Sequence, residues 1–315
     1  MAPPQSFRRG LWVRIGLRAS VSSHTSTPNF TTVRSPSREC ALGSVVSAAT
    51  GLPPTNMTNA RRIVETAAHL TDHVLPVLPV RQWVLAVPKR LRYFLQRDAN
   101  LQGAALRLFL RVAEQCLRAH SPGSGPAARL GAVAFIHRFG FSLNAHLHFH
   151  CVAIDGVFDA AATGGVVFTA ATRIKANAIA DVQACVRPRL LRVFVRRSLL
   201  PRDDARAMGQ WHHGGGFSVD GSVRIEAADR AGRERLLRYC ARPPFALNRL
   251  RELGPERLRY ELTKPGPGGS SSLRLTPVQL IDRIAALVPP PSVHRQRYFG
   301  VLTRTAASRK SGRGR

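Results

Sequence analysis

His146-Leu147-His148-Phe149-His150-Cys151-Val152-Ala153-Ile154 is the stretch on which the fold turns. Its histidines alternate with Leu147, Phe149 and Cys151, which is the two-residue period of a strand whose successive side chains take opposite faces. One face becomes a histidine row and the other belongs to a core. Neutral imidazole binds divalent metals well, and ligands at i and i+2 on a rigid strand hold a cation with its other positions open. His148 and His150 are therefore metal-ligand candidates, and His146 extends the row. Histidines hydrogen-bonded to a neighbouring strand are the alternative, against which three in alternation weigh.

Upstream, Ala132-Val133-Ala134-Phe135-Ile136-His137-Arg138-Phe139 reads as a second strand, and residues 140–145 are short enough for a hairpin connection. A turn centred near Ser142-Leu143 sets His137 opposite His148 on the same face. His137 or His146 can then be the third ligand, while His137 also suits a core histidine. Farther out, Ile63, Ala67, Leu70 and Val74 recur at helical spacing, 82–87 reads as a buried strand, and 89–97 and 103–119 carry helical patterns. Downstream come amphipathic stretches at 173–200 and 202–211, a short strand at 217–226, and a helix over 229–241 stopped by Pro243-Pro244. Strands at 257–263 and 272–275, a helix over 277–288 opened by Thr276-Pro277, and a strand at 297–302 complete the series. This order predicts an α+β fold, an antiparallel sheet with the histidine strand in a central hairpin, covered by helices. Residues 1–60, with six arginines and one acid, Glu39, are expected to be a disordered basic arm. Residues 61–302 are expected to form a folded domain, and 303–315 a basic disordered tail.

The 315 residues carry 47 basic against 18 acidic side chains, a formal charge of +29, which calls for a polyanionic partner. All but Lys89, Lys175, Lys264 and Lys310 of the basic residues are arginines, whose planar fork suits bidentate phosphate contacts, although a coding bias also yields such a ratio. Arg189, Arg192, Arg196 and Arg197 sit together on one helical stretch and would suit a DNA backbone track. Five scattered cysteines fit neither a disulfide framework nor a zinc ribbon. No apolar run approaches the ~20 residues of a membrane span, and arginines interrupt the start, so a cytoplasmic location is expected. His69 and His73 read as a solvated helix face, and Trp211-His212-His213-Gly214-Gly215-Gly216 as a connection or a phosphate-contacting loop.

His148-Phe149-His150 resembles the motif of the HUH endonucleases, named for a strand bearing histidine, hydrophobe, histidine. The chain is similar to the rolling-circle transposases of bacterial insertion sequences, the two-tyrosine transposases and their single-tyrosine relatives, over about residues 60 to 302. Arg81-Gln82-Trp83-Val84-Leu85, Ile136-His137-Arg138-Phe139-Gly140, residues 144–150, Tyr239-Cys240-Ala241-Arg242 and residues 294–300 carry the likeness in the same order. It implies single-strand DNA cleavage and strand transfer through a 5′-phosphotyrosine, dependent on Mg²⁺ or Mn²⁺ held by His148, His150 and either His137 or His146. Tyr239 matches the position of the nucleophile, amid Arg233, Arg235, Arg238 and Arg242, which would meet the phosphate. Arg192 and Arg196 would bind DNA farther out. Single-stranded transposon ends and target DNA are the implied partners, with homo-oligomers among the assemblies allowed and the nucleoid as the place of action. Two departures stand out. Pro243 occupies the place of a second tyrosine, and residues 1–60 hold only Cys40 where relatives carry a cysteine-rich zinc-binding domain. The rival expectation is an inactive, truncated remnant that acts only as a basic nucleic-acid binder.

Overall fold

The computed structural model describes residues 56–162, 165–254, 256–287 and 296–303. The arm through residue 55 and the tail from residue 304 lie outside the described residues, and the first helix, α1 (Asn56–His69), begins inside the stretch assigned to the arm.

The central sheet joins β1 (Val80–Ala86), β2 (Gly131–Phe139), β3 (Ala145–Ile154), β6 (Ser218–Asp220), β7 (Arg224–Ile225) and β11 (Gln296–Gly300). Its order is β11-β2-β3-β1-β6, with β7 also on β1, and every pairing is antiparallel. The β2–β3 hairpin thus lies inside the sheet, as the alternation at 146–154 predicts. Leu147, Phe149, Cys151 and Ala153 are buried on one face with Trp83, Leu85, Ala134 and Ile136. Three helices close that face: α2 (Lys89–Arg97) through Leu91 and Leu95, α3 (Ala99–Ala119) through Leu106 and Phe109, and α4 (Ala176–Arg196) through Leu190 and Phe194. Burying each such side chain stabilises the fold by roughly 1.5–3 kcal/mol. On the other face Val80, Val133, Phe135, Val152 and Ile154 pack against α1 and the π-helical turn that follows it (Leu70–Val74) through Ala67 and Leu70, and against α6 (Arg230–Ala241) through Leu236, Leu237 and Cys240.

Local chemistry sets the boundaries. The Asp98 carboxylate accepts from the amides of Asn100 and Leu101 at the start of α3, and Asp229 does the same for Gly232 at the start of α6. Helix α6 ends at Ala241, two residues before Pro243-Pro244. The single strand expected over 217–226 is broken into β6 and β7, because Asp220 turns the chain by accepting from the Ser222 amide, and any Cβ on Gly221 would meet the Trp83 ring. The helix expected over 277–288 runs Pro277–Ala285, as α7, with a full capping box between Thr276 and Gln279. At the far end of β3 the fully buried Asp155 carboxylate receives Arg81 and Arg224, which ties β1 and β7 to that strand.

Two elements are absent from the sequence reading. One is the hairpin β4 (Gly156–Ala160) and β5 (Val166–Ala170). The other is β8 (Leu250–Gly254), the edge of a small sheet with β9 (Arg257–Glu261) and β10 (Ser272–Leu275). Helix α5 (Arg202–Gln210) packs beside α4.

Candidate metal centre and nucleophile

Register brings the histidines together. β2 and β3 pair His137 with His148, and β1 and β3 pair Val84 with His150. The ring nitrogens of His137, His148 and His150 lie within 4.8 Å of one another, the spacing of a group that could hold a metal ion. His146 lies edge-on to His148, outside this trio. Of the two third ligands left open by the sequence, the structure groups His137 with the pair. The hairpin tip braces this end of the sheet. Leu143 adopts a left-handed conformation, φ 53°, with its side chain buried against Phe245, Leu258, Tyr260, Leu275 and Leu280. Arg283 donates to the Ser142 carbonyl at 3.2 Å from α7. The small sheet and α7 therefore grip the turn that aims the histidines.

The hydrogen-bond partners assign the protons. His137 donates from Nε2 to the Cys240 carbonyl at 2.7 Å, which leaves a lone pair on its buried, unpartnered Nδ1. His148 donates from Nδ1 to the His146 carbonyl at 2.9 Å, which leaves the lone pair on Nε2. At His150, Nδ1 faces the Gln82 amide nitrogen at 2.9 Å, and Nε2 is buried without a partner. An amide has the same shape either way round, and with its oxygen towards His150 the Nδ1 proton is accepted and Nε2 is free to ligate. Burial, the neighbouring histidine charge and Arg242 push His150 down to about 3. Burial drives His148 to about 4 and His137 well below the usual histidine range. All three imidazoles are neutral near pH 7, with one orphaned nitrogen on each of two buried rings. This donor set fits a divalent cation.

Tyr239 stands in the last turn of α6, half exposed, with its ring edge-on to His150 at 5.5 Å between centroids. The Arg242 guanidinium lies 4.2 Å over the same ring. Of the arginines expected around the phenol, only Arg242 takes that position. Arg233 is buried and donates to the Pro76 carbonyl, fastening α6 to the connection between α1 and β1. Arg238 is bound to Glu234, and Arg235 lies 3.9 Å from Asp229. Arg192 and Arg196 are exposed on α4 and line a groove with Arg202 and Arg206 of α5. Helix α4 covers the apolar face of the sheet, so the structure does not bring these two to the histidines. The sequence reading missed Gln82 and the Cys240 carbonyl as partners of the ligand rings. Gln82 was legible in principle, since it alternates with Val80 and Val84 and so shares the histidine face.

A family model described as "Putative transposase", Y2_Tnp, matches residues 131–310, more than half of the chain. The chain belongs to this transposase family. The match spans β2, β3 and α6, so the three histidines and Tyr239 of this transposase-family chain fall inside it, whereas β1 and Gln82 lie upstream. No curated protein and no solved structure matches the chain. Among the described residues no helix is long and apolar enough to cross a membrane.

Proposed function

We propose that residues 61–302 form an HUH-type single-strand DNA endonuclease and strand transferase that works through a 5′-phosphotyrosine. One observation carries the reading: a half-exposed tyrosine lies edge-on to one of three clustered, neutral imidazoles, that of His150. A Mg²⁺ or Mn²⁺ ion held by His137, His148 and His150 would polarise the scissile phosphate as a Lewis acid. Gln82, the Cys240 carbonyl and the His146 carbonyl orient the three rings. Burial keeps protons off them. Arg242 offers positive charge beside the phenol of Tyr239. The Tyr239 oxygen attacks phosphorus and gives up its proton, and the bond from phosphorus to the 3′ oxygen breaks as that oxygen gains a proton. A phosphotyrosine ester and a free 3′-OH result, and attack by a 3′-OH reverses the step and rejoins DNA. No nucleotide cofactor is needed, because the ester conserves the bond energy.

The partners on this reading are single-stranded transposon ends and target DNA, met at the nucleoid of a bacterial cytoplasm, with Arg192, Arg196, Arg235 and Arg238 contributing phosphate contacts. A second reading, a remnant that only binds nucleic acid, draws on Pro243 at the place of a second tyrosine and on the net charge of +29. Incubation with labelled single-stranded oligonucleotides and Mn²⁺ separates the two. The nuclease forms a covalent adduct that Tyr239→Phe abolishes and that His148→Ala/His150→Ala abolishes without loss of salt-sensitive binding. A Tyr239→Phe protein that still becomes attached to DNA would refute the assignment, and a wild type that binds but never attaches would favour the remnant.

A further inference from the structure

Beside the metal centre lies a second cavity, of about 200 Å³, between the start of α1, the end of α6 and the strands β2 and β11. It shares two residues with the site, His137 and Cys240, and its apolar walls come from groups such as Ile63, Phe135 and Pro243. Its size falls below the ~300–1,000 Å³ of pockets that take drug-sized ligands, so it suits a single small ring system.

Two polar side chains lining the cavity have spare hydrogen-bonding capacity. Gln296 pairs with Phe135 across the β11–β2 ladder, and its amide N–H donates to the Tyr298 hydroxyl at 2.7 Å. The carbonyl oxygen and the second N–H of that amide have no partner among the described residues. Thr66 lies on the same helix surface as Arg62, one turn away. Thr71, farther along, returns its hydroxyl to the Ala67 carbonyl at 2.8 Å, whereas the Thr66 hydroxyl has no partner among the described residues. A crevice left over from packing needs neither group. An apolar slot with an amide edge and a hydroxyl is how proteins read a base swung out of a strand.

We propose that this cavity is a base pocket, taking one nucleobase of the single strand whose neighbouring phosphate lies at the histidines. The inference rests on the reading of the chain as a single-strand nuclease and adds to it the means of choosing where to cut. His137 lines the pocket and belongs to the metal centre, so the base and the reacting phosphate belong to the same or adjacent nucleotides. An amide edge left with one acceptor and one donor matches the N6 and N7 positions of adenine. The exposed Arg62 at the rim is placed to meet the phosphate of the captured nucleotide.

The test uses the full-length Tyr239→Phe protein, so that binding is read without turnover, against a pool of random single-stranded DNA. Sequencing of the bound fraction should show one position dominated by adenine. An abasic residue at that position should weaken binding on the order of tenfold. Gln296→Leu, close in shape, should erase the preference there and leave the other positions and the salt dependence as they were. Thr66→Val should reduce it less. Mapping of the covalent link formed by the wild type should place that position within one nucleotide of the linked phosphate. The proposal is overturned if abasic substitution at every position changes binding less than twofold, if Gln296→Leu keeps the same preference, or if the preferred base maps farther from the link. Loss of the nuclease reading has a different signature, since it removes the adduct and leaves the binding preference to be measured on its own.

Discussion

The two faces of the central sheet are built from the same three strands and have opposite fates. On one face Trp83, Leu85, Leu147, Phe149 and Cys151 are all sealed beneath α2, α3 and α4. On the other, β3 starts apolar at Ile154 and Val152 and turns to imidazole at His150 and His148, and β2 does likewise from Val133 and Phe135 to His137. Cover explains the switch. Helix α6 lies over the apolar end of that face and stops before Pro243, so the histidines emerge where its last turn runs out. One alternation therefore divides each strand into residues that hold the fold and residues free for chemistry, and the length of one helix sets the border.

The comparison can be broken most forcefully on the sealed face. Phe149→Ala removes a fully buried ring between two candidate ligands and should cost about 3–5 kcal/mol in urea unfolding. A cost below 1 kcal/mol would mean that this face is not the structural one. Acidification probes the other face. In the folded chain His148 and His150 titrate at about 4 and about 3, against about 6.5 for an unperturbed histidine, so between those values the unfolded chain binds more protons. Their contribution is fully present above about pH 6.5 and is lost as the pH falls through about 4 and about 3. Thermal unfolding in metal-free buffer should show that slope, and His148→Ala/His150→Ala should flatten it; an equal slope in both proteins would contradict neutral, buried imidazoles.

Gln82→Leu sharpens the division within the histidine face, because it removes the partner of His150 and no proposed ligand. Titration calorimetry with Mn²⁺ should show affinity weakened about 10–100-fold. Unchanged affinity would leave His150 oriented by packing alone. The smallest effect is expected across the sheet. Arg192→Gln/Arg196→Gln should lower the slope of log affinity for single-stranded DNA against log salt by about 0.7 per arginine, with adduct formation at saturating DNA preserved. Loss of adduct in that variant would show that the groove on α4 acts on the chemistry.

How much the sequence discloses follows the same division. The histidine hairpin, its His137–His148 register and the helix carrying Tyr239 were legible because alternation, turn length and a proline stop act over a few residues. Tertiary partners were not. Nothing local distinguishes the buried Arg233 from the exposed Arg235 two residues later, because their difference is set by Pro76, more than 150 residues upstream. The break at Gly221 was hidden for a similar reason, since it depends on the Trp83 ring of a distant strand. The β4–β5 hairpin escaped because β5 is largely exposed and shows no buried alternation to read.

Cys240 follows Tyr239 in the chain, and its carbonyl accepts from Nε2 of His137. The proposed nucleophile, Tyr239, and one candidate ligand, His137, are thereby hung from adjoining peptide units, like the two jaws of a caliper. Any shift of the end of α6 would carry both with it. With Pro243 four residues after Tyr239, there is one such caliper among the described residues. On the proposed strand-transfer reading, two exchanges on one subunit would have to pass through it in turn, the second waiting until the first has released its grip.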